Sequence, residues 1–285
     1  MKKILVAGST GYLGIHIVDH LLRRQLNFKA LARNPQKLNH LALSPSQIIK
    51  AQVTDSHSIT GCCEGIDVVI STVGITRQKD GLTYMDVDYQ ANRNLLDEAI
   101  NSGVKKFIYV SVLHGEELKH LKICEAKERF VRELQQSGLD YCIVRPSGFF
   151  SDMEEFYNMA KKGRIYLFGK GQNKVNPIHG SDLAKVCVDA IYQNDKVIEV
   201  GGKETLSHRA IAEIAFKTLN KPAKITYIPN WVRKVMLRLA SLLMGEAQYG
   251  ATEFFLHVVA MDMSTNQQGR HSIKDFFNQL NKKEQ

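Results

Sequence analysis

Three glycines at a fixed spacing, Gly8, Gly11 and Gly14 in Gly-Ser-Thr-Gly-Tyr-Leu-Gly, are the residues most suited to chemistry in this chain. They follow the β-branched run Lys2–Ala7 and precede a segment, Tyr12–Gln25, with apolar residues at helical spacing. Glycine suits each place: Gly8 for a tight turn, Gly11 for backbone approach to a pyrophosphate, and Gly14 for close helix–sheet packing. The helix that follows offers first-turn N–H groups and a partial positive charge to an anion. This predicts a dinucleotide cradle formed by Gly8, Thr10, Gly11, Tyr12, Leu13 and Gly14.

The end of the second strand selects the dinucleotide. A protein that reads the free ribose 2′-hydroxyl usually carries Asp or Glu there. Here the order is Ala32-Arg33-Asn34-Pro35, with Lys37 close behind. A guanidinium and an ammonium suit a 2′-phosphate, so NADP(H) is expected ahead of NAD(H).

Lys127 is the third chemical candidate. Ile123, Phe130, Val131 and Leu134 lie at −4, +3, +4 and +7 from it, which puts an ammonium near the centre of an apolar helical face. Such a lysine must snorkel, find a partner, or sit beside a ligand. His114, His179 and the Cys62-Cys63 pair are weighed and set aside as structural, and Asn92 and Asn94 are expected to link their helix to a neighbouring loop.

These residues need a scaffold, and the pattern supplies one. Strand-like runs at Lys2–Ala7, Asn27–Ala32, Ile48–Val53, Asp67–Thr72, Val104–Ser111 and Asp140–Arg145 alternate with helical segments at Tyr12–Gln25, Tyr84–Ser102 and Ile123–Gln136. Asn34-Pro35 supplies an N-cap and an N1 proline for a short helix. Alternation of this kind predicts an α/β fold, a Rossmann-type doubly wound parallel sheet. Later helices are expected at Asp152–Lys162, Ser181–Gln193, the latter capped by Ser181 or Asp182, and His208–Asn220, with a strand at Lys196–Val200. Residues 1–150, continued by 176–202, are expected to form the core, and 151–175 with 203–285 a smaller C-terminal substrate-capping region, all one integrated unit.

The chain resembles the atypical short-chain dehydrogenase/reductases, nearest to NmrA-like and isoflavone-reductase-like NAD(P)H-binding proteins. The glycine string, Leu31–Lys37, Ser71–Gly74, Gly103–Ser111, Arg145–Phe150, Asn176–Ala184 and Glu199–Gly202 carry the likeness. It implies that Ser71, Thr72, Val73 and Gly74 line the cofactor. It further implies that Ser111 occupies the family's serine position, and that Arg145, Pro146 and Ser147 pass beside the nicotinamide. Two departures stand out. Gln52 replaces an adenine-contacting aspartate, and Ile123 replaces the tyrosine of the Tyr-x-x-x-Lys pair, leaving Lys127 and Ser111 as catalytic candidates. In isoflavone-reductase-like enzymes a lysine without the tyrosine serves as general base; in the alternative it only hydrogen-bonds the nicotinamide ribose. The expected function is an NADPH-dependent oxidoreductase acting on an apolar carbonyl or conjugated small molecule. The alternative is a non-catalytic NAD(P)H-binding redox sensor or assembly factor, like NmrA-like sensors and respiratory-complex subunits.

Composition bounds the rest. The 285 residues are 44% hydrophobic and 24% charged, ordinary for a globular protein. The net charge of +9 is scattered, with no basic run interleaved with aromatics, so nucleic acid is not an expected partner. Five cysteines without metal or CxxC spacing read as reduced thiols in the cytoplasm. The two N-terminal lysines and short apolar run read as mature protein rather than a signal peptide. Trp231–Met244 is a basic amphipathic helix, with Arg233, Lys234, Arg238 and Ser241 on one face and Trp231, Val235, Leu239, Leu242 and Leu243 on the other. It is expected to pack as a lid or to contact a membrane surface or protein partner. The chain is compatible with a monomer or a small homo-oligomer.

Overall fold

The computed structural model describes residues 2–75 and 81–284. Two units can be distinguished, Met1–Arg145 with Leu183–Ile198, and Pro146–Asp182 with Glu199–Gln285.

In the first unit, β1 (Ile4–Ala7) leads through the glycine turn into α1 (Tyr12–Arg23). Then follow β2 (Phe28–Ala32), β3 (Ile48–Lys50), β4 (Val68–Ser71), α2 (Asn92–Asn101), β5 (Lys106–Val110), α3 (Lys122–Gln136) and β6 (Asp140–Pro146). With α5 (Gly180–Asp189) and β9 (Val197–Val200) beyond them, the strands make one sheet in the order β3-β2-β1-β4-β5-β6-β9. The pairs of β1 with β2 and β4, of β2 with β3, and of β5 with β4 and β6 are parallel. Because both sheet faces are covered, β1, β4 and β5 are buried at every residue and read as continuous apolar runs rather than alternating ones. On one face Phe130 of α3 packs edge-on against Tyr109 of β5, ring centroids 4.6 Å apart. The strand order reverses between β1 and β4, which is where a doubly wound sheet holds its ligand.

Two expected elements differ in detail. The third strand stops at Lys50 rather than Val53, because the Gln52 N–H leaves the ladder to donate to Ser58 Oγ at 3.0 Å. The helix expected over Tyr84–Ser102 is π-wound at Met85–Ala91 before it becomes α2. Asn92 explains the wider turn: its Nδ2 donates to the Asp88 carbonyl at 2.9 Å and to the Val73 carbonyl at 3.2 Å. The N-cap of the short helix after β2 is as expected, Asn34 Oδ1 accepting from Gln36 N before a 3₁₀ turn over Pro35–Leu41.

The second unit contains α4 (Phe150–Lys161), β7 (Ile165–Phe168), β8 (Lys174–Val175), β10 (Leu206–Ser207), α6 (His208–Thr218), β11 (Ile225–Ile228), α7 (Asn230–Leu243), α8 (Glu246–Val258) and α9 (Ile273–Glu284). β7 pairs in parallel with β11, and β8 antiparallel with β10. These strands of two to four residues are too short to leave a period in the sequence. Helices α4, α6 and α9 pack together, with Tyr157, Phe216 and Phe277 fully enclosed. Neither Ser181 nor Asp182 is the N-cap of α5, which starts at Gly180: His179 Nδ1 accepts from Ser181 N instead, and Asp182 Oδ2 accepts from Arg270 N and His271 N. No helix among the described residues is long and apolar enough to cross a membrane.

Candidate dinucleotide site

The glycine turn is built as its residue types demand. Gly8 is left-handed, φ +76°, and Gly11 N donates to its carbonyl at 3.0 Å to close the turn. A Cβ on Gly14 would overlap the Gly8 carbonyl oxygen and come within 2.8 Å of Ser9 Cα. The close approach required of Gly14 is therefore to the turn itself. Gly11 differs: a Cβ there would meet only the Gly8 carbonyl oxygen, at 3.3 Å among the described atoms. Gly11 is the N-cap of α1, and no side chain among the described residues caps that end. An open glycine position at an uncapped helix N-terminus fits a pyrophosphate.

The other expected lining residues divide by orientation. Thr10 and Tyr12 are half-buried, Tyr12 edge-on to His16, whereas the Leu13 side chain is buried in the core and offers the site only backbone. Along Ser71–Gly74, the Ser71 and Val73 side chains turn inward, and Ser71 Oγ donates to Asn92 Oδ1 at 2.6 Å. Thr72 and Gly74 open outward: Thr72 Oγ1 donates to the Gly8 carbonyl at 3.3 Å, tying the β4 loop to the glycine turn. Arg33 and Lys37 are exposed just beyond β2. Gln52, at the departed adenine position, donates from Nε2 to Thr54 Oγ1.

Lys127 has a partner that sequence reasoning missed. Its ammonium, on a side chain 12% exposed, lies 2.8 Å from Oδ1 of the fully buried Asp88. The other Asp88 oxygen accepts from Ile75 N at 3.0 Å. A Cβ on Gly74 would stand 2.6 Å from Asp88 Oδ1 and 3.0 Å from Lys127 Nζ, so the backbone of the β4 loop lies directly on the pair. Burial alone pulls the Lys127 pKa down, but Asp88 and the neighbouring Tyr109 outweigh it and the net shift is upward. Burial pushes Asp88 above the usual carboxylate range, opposed by Lys127 and the Ile75 N–H. Tyr109 does not replace the missing tyrosine: it is fully enclosed, with its ring against Phe130, and burial raises its hydroxyl pKa.

A second buried network holds Ser111 and Arg145. Glu128 of α3, 1% exposed, accepts from Arg145 Nη1 and Nη2 at 2.7 Å each and from Ser111 Oγ at 3.1 Å. Arg145 Nη1 also donates to the Val112 carbonyl. A Cβ on Gly115 would overlap Glu128 Oε1 and come within 2.7 Å of Arg145 Nη1, so a larger residue there would have to displace this pair. Glu128 had a sequence signal: it lies four residues after Cys124 and three before Val131, on the buried stripe of its helix. Pro146 and Ser147 belong to the second unit, where both are buried and Ser147 Oγ donates to the Asn176 carbonyl.

The residues set aside have structural partners. His114 lies 3.1 Å from Glu117, and His179 stacks on His271 with centroids 4.2 Å apart. Asn92 and Asn94 bridge to loops, Asn94 through the Val53 carbonyl. All five cysteines are buried and unbridged, and burial pushes Cys124 up to about 12 and Cys142 to about 11. No group of three metal-ligating side chains occurs among the described residues.

Comparison with known proteins gives the family. A family model described as NAD(P)H-binding matches residues 8–194. The chain is 28% identical to the chloroplastic divinyl chlorophyllide a 8-vinyl-reductase of Arabidopsis thaliana, covering 96% of this chain and 75% of that protein. It is 26% identical to the photosystem II assembly factor Ycf39 of Trieres chinensis, covering 87% and 77% respectively. In fold it is similar to an NADPH-dependent quinone oxidoreductase complexed with NADPH from Escherichia coli, with TM-score 0.69 at 19% identity over 97% of this chain and 99% of that one. The family match spans most of the first unit, glycine turn and lysine helix included: this chain belongs to the NAD(P)H-binding family and binds a nicotinamide dinucleotide.

Proposed function

We propose that the chain is an NADPH-dependent oxidoreductase acting on an apolar carbonyl or conjugated small molecule in the cytoplasm. What carries this is the placement of Lys127: its ammonium abuts Gly74, on the same loop through which Thr72 touches the glycine turn. When bound, the dinucleotide supplies a hydride. The chain's own residues bind and orient. Gly11 and the N-terminus of α1 take the pyrophosphate, and Arg33 and Lys37 the 2′-phosphate. Lys127 stays an ammonium because its pKa is raised, so it orients a ribose hydroxyl or offsets developing negative charge rather than accepting a proton as a general base. Ser111 Oγ–H donates its hydrogen bond to Glu128, so its oxygen has lone pairs left to accept from the water that delivers the substrate's proton. Two names among the similar proteins support the substrate class, one a vinyl-reductase and the other a quinone oxidoreductase. The reducing setting that buried, unbridged cysteines favour supports a cytoplasmic place of action.

Ile123 in place of the usual tyrosine favours a second reading, dinucleotide binding without turnover as a redox sensor or assembly factor, and the similar Ycf39 protein is named an assembly factor. Steady NADPH consumption across a panel of quinones, enones and aromatic aldehydes separates the two. Turnover with at least one class is expected; tight binding without consumption across the panel supports the second reading and overturns the first.

NADPH is expected to bind at least about tenfold more tightly than NADH, ~1.4 kcal/mol. Arg33→Ala should erase most of that difference while barely changing NADH affinity. Calorimetric titration of both cofactors decides, and equal affinities in the wild-type chain would defeat the assignment of Arg33.

A further inference from the structure

Among the described residues, nothing covers the apolar side of helix α7. Arg233, placed by sequence on one face with Lys234, Arg238 and Ser241, turns inward and donates from Nη1 to the Leu256 carbonyl of α8 at 2.7 Å. Ala240, also on that side, is buried. At 100° per residue, Trp231, Val235, Leu239 and Leu242 lie on the opposite side, and Met236 and Leu243 widen the strip. All six are exposed, Trp231 at 66%, Leu242 at 79% and Leu243 at 81%. Lys234 and Arg238, both exposed, run along one edge of the strip. From Ile214 to Gly245 the chain has no Asp or Glu, against Lys217, Lys221, Lys224, Arg233, Lys234 and Arg238.

We propose that this face docks on an anionic lipid surface, with α7 lying in the interface plane. The 14 residues of α7 make a helix ~21 Å long, too short to span a bilayer but suited to lie on one. Charge complementarity selects the occupant. The strip is apolar, and the exposed charges of α7 along its edge, Lys234 and Arg238, are both cations, which matches an acyl layer bounded by lipid phosphates. A protein groove of ordinary composition would place polar and charged groups of both signs around its apolar floor, and this helix offers no acid to meet them. Trp231 starts the strip, and an indole prefers the headgroup level. The proposal does not depend on whether the chain turns substrate over.

The experiment uses the full chain, and its sole tryptophan is the reporter. Trp231 emission should be water-like in buffer and shift to the blue with phosphatidylcholine vesicles containing about one-third phosphatidylglycerol. The chain should cosediment with those vesicles and much less with phosphatidylcholine alone. Raising the salt to about 1 M, where screening acts within ~3 Å, should release it. Lys234→Glu with Arg238→Glu should cut capture by at least about tenfold. Leu239→Ser with Leu242→Ser should do the same while thermal midpoint and dinucleotide affinity stay at wild-type values. Unchanged emission without cosedimentation would overturn the proposal and leave a protein partner as occupant. So would equal capture by both vesicles, emission already blue and concentration-dependent in buffer from self-association, or unfolding of the Leu239→Ser, Leu242→Ser variant.

Discussion

Gly11→Val is expected to yield a folded chain that has lost the dinucleotide, and Gly14→Ala a chain that has lost much of its stability. The two glycines lie three residues apart in one turn, yet their surroundings are opposite. Gly11 has φ −77° and ψ 169°, an extended backbone that any residue adopts, and an added side chain there meets little protein. It would instead fill the space above the N-terminus of α1, where a phosphate must come close. Affinity should fall by at least about a hundredfold, ~2.7 kcal/mol, with the urea midpoint within error of wild type. At Gly14 a single methyl runs into the Gly8 carbonyl and Ser9 Cα, backbone atoms that cannot step aside without dismantling the turn. Overpacking of this kind costs about 3 kcal/mol. Paired urea melts and cofactor titrations check both variants, and normal affinity in Gly11→Val would mean that the turn does not carry the pyrophosphate.

Lys127→Met is expected to destabilise the chain at neutral pH, by about 3–5 kcal/mol, because among the described residues it leaves the buried Asp88 carboxylate with only the Ile75 N–H. From sequence alone the same change looks neutral or stabilising, since it puts an apolar stem on an apolar face. The deficit should depend on pH with a definite sign. Burial already raises the folded pKa of Asp88, and removing Lys127 removes its main opposition. A carboxyl raised in the folded state contributes its stability below the unfolded pKa, and loses it as pH rises through the folded value. Lys127→Met should therefore be closer to wild type at pH ~4 than at pH ~8. Asp88→Asn in the same chain removes the charge that was left alone, and the double variant should recover most of the loss. That recovered fold isolates the site: both variants should bind the dinucleotide weakly or turn over slowly. A double variant with wild-type affinity and turnover would make the Lys127–Asp88 pair purely structural.

The amino-acid order by itself determined whatever is written within one element and its neighbour. The glycine spacing, the strand before it and the helix after it are contiguous, so the dinucleotide turn was legible residue by residue. The alternation of short apolar runs with helical segments determined the doubly wound sheet. Helical periodicity placed Lys127 on the buried side of α3, because 100° per residue relates any two positions on one helix. The tertiary structure alone decided what that lysine meets. Asp88 comes from a π-wound turn before α2, and its reach to Lys127 depends on how two packed helices are set against each other, which no single-element period encodes. Glu128 was visible as an acid on a buried stripe, but not its bidentate hold on Arg145 across to β6. The Trp231–Leu243 strip shows the same division: amphipathicity is local and was readable, whereas cover for an apolar face comes from distant chain, and none arrives among the described residues.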